Sequence, residues 1–526
     1  PGGTRVNLRP LLAISLSLGL SLVATVTTVA AQEIERRPVE DELFGVSSVV
    51  PADWQDLGGG AYARGTLPQD LALVAIQAAP ASIEQVWSSL LPQFALTEVP
   101  EVTGSYRSEL FDWTLYRFDV QLGDTVISAE LALAEDEGRV QLILLQSDPG
   151  EFAVLREQVL LPAIDAFAPL EPEPTPDPST FDYQIEEVSF SGGSEGIELA
   201  GTLTLPPGPG PHPVVVTMSG SGAQDRDESL RPITMLKPFA VIADALTSAG
   251  VGVLRYDDRG VGGSSGDYEA ATIVELTADA AAAIDYLENR ADVDPGRIGL
   301  FGHSEGGLYA AKLGANDPRV SYVGMMAPAV VDGVTLIVEQ YEASMRASGA
   351  EGAMVEAYRA YAAEAMPLAR DGDVDELEAV IRDFYGRVWD EMTPDEQVIA
   401  GDRETFVQLQ VDSELPAFTS DWFRSLLAYD PTADWEQVTV PVLAIFGGKD
   451  VQVLADSNAT ALQQALEVAG NEDVEIVTIA DANHLFQAAE TGAFAEYGQL
   501  APEFIDGFTQ VIVDWMTVRA GLGQQG

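Results

Sequence analysis

The sequence contains no cysteine, which excludes disulfide bonds, thiolate metal sites and a cysteine nucleophile. Basic residues are also scarce: 27 Lys and Arg stand against 83 Asp and Glu, and the only lysines are Lys237, Lys312 and Lys449. The resulting net charge of −56 repels the phosphates of nucleic acids and the headgroups of anionic lipids, so we expect no nucleic-acid partner. Only three histidines occur in the 526 residues. Because they are widely scattered, we expect no catalytic zinc or other metal site.

The first residues have the pattern of an export signal. Arg5 and Arg9 precede an uncharged, mostly apolar run at 11–30, and small residues next to Ala31 suit cleavage after it. The run is long for a signal, so the alternative is that it remains as a single membrane anchor. We predict a signal peptide at residues 1–31. The mature protein would then be periplasmic or extracellular, without stable membrane insertion.

A stretch that alternates proline with acidic residues divides the chain at 169–180, PLEPEPTPDPST. Such a sequence forms neither helix nor sheet ladder, so it predicts a linker between two domains. Before it, residues 44–168 combine strand-like runs with a helix-like segment at 81–94, which predicts a small α+β domain. Its opening, VPADWQDLGGGAYARG, with the later strands and the closing helix, resembles the PsbP/Mog1-like sandwich. We see no catalytic set in this domain, and its role stays open.

After the linker, residues 181–520 alternate short apolar strands with amphipathic helices, as in HPVVVTMSG, FAVIADALTSAG and VGVLRYDD. This alternation predicts a mostly parallel sheet with helices on both faces, and the segment at 190–206 predicts an antiparallel hairpin at its edge. The alternation stops between about residues 331 and 438, where the sequence reads as helices. We expect these helices to cap the carboxyl edge of the sheet, where ligands bind in such folds.

A serine between glycines, in GHSEG at 302–306, follows a strand-like run and precedes a helix-like one. In a G-x-S-x-G turn the serine lies at a strained strand-to-helix junction that exposes its hydroxyl, and larger neighbours would collide with the strand and helix. The alternative is an ordinary tight turn. The flanking strand and helix favour Ser304 as a nucleophile.

A serine is a weak nucleophile until a base takes its proton. His212 lies between two prolines ahead of a strand, which favours a structural role. His303 is adjacent to Ser304, and adjacent residues on such a turn point apart, so we expect it to serve packing or the loop. His484 lies on a loop after the last strand-like run. We therefore predict that His484 is the base.

The imidazole needs an acid that orients it and stabilises its charged form. Asp450 is the last residue of PVLAIFGGKD and follows a predicted strand. His484 follows the next predicted strand in the chain. The order Ser304, Asp450, His484 is the order found in α/β-hydrolases. Asp257 and Asp258 are alternative candidates by placement, but they come before the serine, which favours a framework role for them.

Acyl transfer also needs two N–H groups that hold the negative oxygen of the intermediate. The residue after the nucleophile, Glu305, should supply one. The glycine-containing loop SGSGAQDRDES at 219–229 should supply the other, from the backbone of Ser221. The alternative is that this loop is an ordinary turn.

Residues 181–516 resemble the α/β-hydrolase superfamily and, within it, the EstD-type bacterial esterases. The segments that carry the resemblance are SGSGAQDRDES, LRYDDRGVGGSSG, GHSEGG, DWFRSLLAYDP, VPVLAIFGGKDVQV and ANHLFQAAETGAFAEY. The resemblance implies hydrolysis of carboxylic esters with short or medium acyl chains, without a cofactor. One departure is Ser219, which stands where many relatives carry histidine.

The sequence thus predicts an exported serine hydrolase whose partner is a small-molecule ester. A serine peptidase on the same fold, an aminopeptidase or a prolyl oligopeptidase-like enzyme, is the first alternative. The second alternative is a binding protein whose hydrolase domain is inactive. The oligomeric state stays open.

Overall fold

The structure is a computed structural model. It describes residues 34–41, 44–65, 70–79, 81–94, 96, 98–122, 125–136, 138–170, 181–230, 233–394, 397, 400 and 402–523. The predicted signal peptide at 1–31 and positions 171–180 of the predicted linker lie outside the described residues. Within these ranges, no helix combines the length and the apolar character needed to cross a membrane.

The chain divides into two compact units. The first takes the described residues within Pro1–Pro174, Arg231–Met235 and Tyr385–Leu409, and the second takes those within Thr175–Leu230, Leu236–Phe384 and Gln410–Gly526. The first unit therefore includes two short stretches of the later sequence in addition to the residues before the predicted linker.

Antiparallel strands make up most of the first unit. Its strands are β1 (Arg36–Asp41), β2 (Val46–Pro51), β3 (Gln55–Gly58), β4 (Ala61–Ala63), β5 (Leu73–Ala79), β6 (Val102–Arg107), β7 (Asp112–Leu122), β8 (Thr125–Asp136), β9 (Arg139–Ser147) and β10 (Ala168–Pro169). Its helices are α1 (Ile83–Gln93), α2 (Phe152–Leu155) and α3 (Leu161–Ala166), with a π-helical turn at Arg156–Leu160 between the last two. Seven strands form one sheet in the order β3-β4-β5-β9-β8-β7-β6, and β1-β2-β10 form a second.

Both faces of the seven-stranded sheet are buried. Along β5, Leu73 packs in a cluster with Trp87 of α1, whereas its neighbour Val74 packs in another cluster with Phe152 of α2. This alternation follows from the period of two in a strand. Strand β1 precedes residue 44 and pairs with β2, and the first linker position, Pro169, pairs with β2 at a sheet edge, where proline is tolerated.

A mostly parallel sheet forms the centre of the second unit, and this confirms the predicted fold class. Its strands are β11 (Gln184–Ser191), β12 (Glu198–Leu205), β13 (His212–Met218), β14 (Gly252–Tyr256), β15 (Val293–His303), β16 (Val320–Met326), β17 (Val442–Gly447) and β18 (Val474–Ile479). They lie in the order β11-β12-β14-β13-β15-β16-β17-β18. Strands β13 to β18 pair in parallel, while β11 and β12 form an antiparallel hairpin at the edge.

Helices follow the strands of this sheet. They are α4 (Pro238–Ser248), α5 (Ile273–Glu288), α6 (Gly306–Asn316), α7 (Gly333–Ala347), α8 (Ala353–Asp371), α9 (Val374–Glu391), α10 (Arg403–Phe418), α11 (Asp421–Ala428), α12 (Thr432–Trp435), α13 (Ala455–Ala469) and α14 (Phe508–Arg519), with a 3₁₀ turn at Phe494–Gln499. Helices α7 to α12 occupy the interval between β16 and β17, where the sequence predicts the cap. Helices α4 and α14 pack on the sheet through Phe239 and Ile512, beside Val215 of the central strand β13.

The parallel strands position the site. Because β13 to β18 run in one direction, their carboxyl ends meet at one edge of the sheet. The loops that carry Ser221, Ser304, Asp450 and His484 follow β13, β15, β17 and β18 respectively. The topology therefore places all the predicted site residues at that edge.

Close strand contacts at Gly299 give a test of this fold. A Cβ at Gly299 would overlap the ring of Tyr322 on the neighbouring strand β16, well inside van der Waals contact. We expect Gly299→Ala to lower the free energy of unfolding by about 1–3 kcal/mol, the usual cost of overpacking a core. Gly296→Ala on the same strand is the control, since its Cβ would meet nothing closer than 3.4 Å. Equal stability of the two variants in urea unfolding would contradict this packing.

Candidate active site

Ser304 has a backbone conformation that is rare for its residue type. Its φ is 53°, in the left-handed region that residues with a Cβ seldom adopt and that costs about 1–3 kcal/mol. The turn is held by its neighbours: the Ser304 N–H donates to Met326 of β16 at 3.0 Å, and its carbonyl accepts from Gly307 at 3.0 Å and from Ala329 at 3.1 Å. A strained serine backbone that is held by hydrogen bonds to its neighbours is typical of a serine elbow.

The glycines around Ser304 are required by space. A Cβ at Gly302 would lie 2.5 Å from the carbonyl oxygen of Gly306. A Cβ at Gly306 would overlap the carbonyl oxygen of Met218, the last residue of β13. The start of α6 can approach the sheet this closely only because both positions lack a side chain.

Asp450 and His484 form a buried pair. Nδ1 of His484 lies 2.7 Å from Oδ2 of Asp450, and the side chain of Asp450 is fully buried. The other oxygen of Asp450 accepts the backbone N–H groups of Gln452 at 2.8 Å and Val453 at 2.9 Å. The carboxylate is thus held in place on three sides, and its contact with Nδ1 fixes the orientation of the imidazole.

His484 lies in the neighbourhood of Ser304. The ring of His303, the residue next to Ser304, has its centroid 4.7 Å from that of His484. Nε2 of His303 also lies 3.2 Å from the backbone oxygen of His484, and the Tyr497 hydroxyl accepts a hydrogen bond from Nε2 of Gln452, two residues after Asp450, at 3.3 Å. The loop of His484 is therefore fixed at its side chain and at its backbone oxygen.

The loop after β13 packs directly on the elbow. A Cβ at Gly220 would lie 3.3 Å from Cβ of Ser304. The N–H of Gly220 donates to Glu228 at 2.8 Å, and that of Gly222 donates to the hydroxyl of Tyr268 at 3.1 Å. The backbone on either side of Ser221 is thereby held by side chains.

The sequence predicts two backbone N–H groups, those of Ser221 and Glu305, as donors to the oxyanion, and both are available to a ligand. In the described part of the chain, no acceptor binds the backbone N–H of Ser221 or that of Glu305. Both groups belong to backbone that adjoins Ser304. This arrangement can hold a negative oxygen formed beside the serine.

The side chain of Glu305 connects the elbow to the cap. Its buried carboxylate accepts hydrogen bonds from Ser221 Oγ at 2.8 Å, Tyr268 at 3.2 Å, Trp422 Nε1 at 3.1 Å and the hydroxyl of Tyr309. Burial raises the pKa of Glu305, although these donors act in the opposite direction. Because Trp422 lies on α11, one carboxylate joins the turn of Ser304, the loop after β13 and a helix of the segment predicted as the cap.

His303 is paired with a second buried acid. Its Nδ1 lies 2.7 Å from Oε1 of Glu228, and both side chains are almost completely buried. Burial alone would lower the pKa of His303, but the charge and hydrogen bond of Glu228 outweigh it and the pKa is raised.

Neither alternative acid is bonded to His484. Asp257 forms an ion pair with Arg226 at 2.8 Å, while Asp258 accepts from Ser219 Oγ at 2.9 Å and from the Gln224 N–H at 3.0 Å. Burial would raise the pKa of Asp257, but Arg226 outweighs it and the pKa is lowered. Burial raises the pKa of Asp258 well above its ordinary 3.8. Both acids hold the loop after β13.

The sequence does not indicate the roles of several residues that surround the site. Glu228, Tyr268, Trp422 and Tyr497 are far from Ser304 in the chain and belong to no short motif. Glu228 is one of 83 acidic residues. Three of the four lie in segments that carry the family resemblance, Glu228 in SGSGAQDRDES, Trp422 in DWFRSLLAYDP and Tyr497 in ANHLFQAAETGAFAEY, but the resemblance assigns none of them a role.

The buried Asp258 predicts a pH effect on stability. An aspartate whose pKa is raised by folding keeps its proton in the native state, so stability falls as pH rises from about 3.8 towards the raised pKa. We expect Asp258→Asn to lose less free energy of unfolding than the wild type between about pH 5 and about pH 7. Urea unfolding at both values measures this, with the exposed Asp506→Asn as control. Equal pH dependence in wild type and Asp258→Asn would contradict the assignment.

Known proteins share this sequence pattern. Residues 236–490 match the family model described as serine aminopeptidase, S33. Esterase EstD of Thermotoga maritima is 26% identical over 373 residues, which cover 71% of this chain and 72% of EstD. The putative hydrolase YtaP of Bacillus subtilis is 38% identical over 89 residues, 15% of this chain and 30% of YtaP.

Solved structures include the Pyrococcus furiosus esterase Pf2001, which is 14% identical with a TM-score of 0.38, over 67% of this chain and 99% of that chain. The family match covers Ser304 and the loops after β17 and β18 that carry Asp450 and His484. The second unit has the α/β-hydrolase fold, and the chain is a hydrolase similar to the EstD-type esterases.

Proposed function

We propose that this protein is an exported carboxylic ester hydrolase that works through an acyl-enzyme on Ser304. The observation that carries the proposal is the buried contact of 2.7 Å between Asp450 and His484, at the sheet edge where Ser304 is held in a strained turn. The similarity to EstD supports an ester as the substrate.

In the first half of the reaction, His484 Nε2 takes the proton of Ser304 as Oγ attacks the ester carbonyl carbon. The carbonyl oxygen becomes negative and is held by the N–H groups of Ser221 and Glu305. The bond from carbon to the alcohol oxygen then breaks, and His484 returns its proton to the leaving alkoxide. Asp450 stabilises the imidazolium that exists between these two transfers.

In the second half, a water molecule replaces the alcohol. His484 takes a proton from the water as its oxygen bonds to the acyl carbon, and the same N–H groups hold the new negative oxygen. The bond to Ser304 Oγ breaks, and His484 returns the proton to the serine. The reaction needs no cofactor, and helices α7 to α11 would shape the pocket for a short or medium acyl chain.

A serine aminopeptidase is a second candidate, because the family model matched by residues 236–490 carries that description. An aminopeptidase must bind the ammonium group of its substrate, for which a carboxylate beside the nucleophile is suitable. Glu305 is adjacent to Ser304, but both of its oxygens already accept side-chain hydrogen bonds. This saturation favours the ester over the aminoacyl substrate.

Export rests on residues 1–31 of the sequence. Expression of the chain in a bacterial host, followed by sequencing of the amino terminus in the periplasmic and medium fractions, tests it. A mature protein that begins at Gln32 supports export, and an uncleaved protein in the cytoplasm contradicts it.

The nucleophile is tested by Ser304→Ala, which should lower the turnover of a p-nitrophenyl ester by at least about 10³-fold. Its thermal unfolding should be close to that of the wild type, because an elbow hydroxyl contributes little to stability. Ser321→Ala, on the adjacent strand β16, is the matched control and should keep full activity. Retention of most of the esterase rate by Ser304→Ala would overturn the mechanism.

The substrate class is tested by comparing p-nitrophenyl acyl esters with aminoacyl p-nitroanilides. We expect kcat/KM for short or medium acyl esters to exceed that for every anilide, since both oxygens of Glu305, the acid next to Ser304 in the chain, already accept hydrogen bonds and leave none for an ammonium group. Faster anilide hydrolysis would favour the peptidase. An inactive binding protein would turn over neither substrate and would not react with a fluorophosphonate.

A further inference from the structure

The buried pair of Glu228 and His303 is not used by the mechanism above, although it touches three parts of the site. Oε1 of Glu228 accepts the N–H of Gly220 at 2.8 Å, next to the oxyanion donor Ser221. The same oxygen lies 2.7 Å from Nδ1 of His303, and Nε2 of His303 lies 3.2 Å from the backbone oxygen of His484.

Both ring nitrogens of His303 face acceptors. The backbone oxygen of His484 can only accept a hydrogen bond, and so can an ionised carboxylate. Oε1 of Glu228 already acts as an acceptor for Gly220, which suits the anion. His303 can satisfy both contacts when both nitrogens carry a proton, and the negative charge of Glu228 compensates the positive imidazolium. The raised pKa of His303 agrees with this state.

Glu228 is held as a specific element of the site. It is 1% exposed and has a φ of 58°, a left-handed conformation that is rare for glutamate. Its N–H donates to the carbonyl of Asp225, and its second oxygen, Oε2, has no hydrogen-bond partner among the described residues. A buried carboxylate with an unsatisfied oxygen costs stability, so its retention favours a functional role.

We propose that Glu228 and His303 form a charged positioning pair that fixes the loop of His484 and the loop of Ser221 relative to Ser304. The pair acts through backbone groups and does not touch the substrate. This inference rests on the proposed function, because it assigns the pair to the geometry of that reaction. Misplacement of reacting groups by about 1 Å can cost about 10²-fold in rate.

The charge of Glu228 is essential to this role, and Glu228→Gln tests it with little change of shape. If the amide oxygen faces His303 and Gly220, both N–H contacts survive, but the neutral His303 then has no proton on Nε2 for His484. If the amide nitrogen faces His303 and Gly220 instead, His303 can keep its proton on Nε2 and its contact to His484 survives. The amide N–H group then faces the N–H of Gly220, and two donors oppose each other. Glutamine can therefore preserve one loop contact but not both.

The experiment compares Glu228→Gln, His303→Ala and the double variant with the wild type on a p-nitrophenyl ester, with kcat expressed per site titrated by a fluorophosphonate. We expect each single variant to lower kcat by about 10- to 100-fold with little change in KM. The double variant should lower kcat no further, because the two residues act as one unit. If His303→Ala yields no folded protein, His303→Gln replaces it.

The matched control is Asp279→Asn, which removes a buried carboxylate paired with Arg259 at 3.0 Å in the same unit. It should lower thermal stability while kcat per titrated site stays unchanged. His484→Ala should lose far more activity than His303→Ala.

Two outcomes would overturn the positioning pair. The first is full kcat per site in Glu228→Gln and His303→Ala, and the second is a double variant whose loss is the product of the single losses. In either case, inactive Ser304→Ala and His484→Ala would leave the proposed function intact. If those two variants were active, the proposed function itself would fail.

Discussion

The contact between Asp450 and His484 is the interaction on which the rest of the site depends. It forms because β17 and β18 are adjacent and parallel, so that the loops at their carboxyl ends meet. The serine turn comes to the same edge on β15, two strands away from β17. An imidazole held by a buried carboxylate presents its other nitrogen in one direction and in one tautomer. In the proposed mechanism, the turn of Ser304 and the loop of Ser221 act only in relation to that nitrogen.

Three further acids are buried around this pair, and the protein accommodates each in a different way. Glu228 is opposed by His303, Glu305 is surrounded by hydroxyl and indole donors, and Asp258 has its pKa raised by burial. In a chain with a net charge of −56, buried carboxylates repel one another unless each is paired, solvated by donors or protonated. Their hydrogen bonds join loops that are remote in sequence, so the cost of burying them is offset by a rigid site.

The parallel sheet, its edge hairpin and the helices between β16 and β17 could be predicted from the sequence, because apolar strands and amphipathic helices have distinct periods. Ser304 could be recognised from its glycines, and His484 because so few histidines compete with it. The hydrogen bonds of Glu228, His303 and Glu305 could not be predicted from the sequence. Glu228 is one acid among many, and Trp422, which contacts Glu305, is 117 residues away from it in the sequence. For His303 the sequence indicates packing, but not that its two nitrogens join two loops, since contacts between distant loops leave no local pattern.

The central claim is that His484 makes Ser304 reactive. The most direct measurement is the rate constant for fluorophosphonate labelling of Ser304, with the labelled peptide identified by mass spectrometry, in the wild type and in His484→Ala. The account predicts a label on Ser304 and a rate that falls by at least about 10²-fold in the variant. Labelling at another residue, or an equal rate in both proteins, would contradict it.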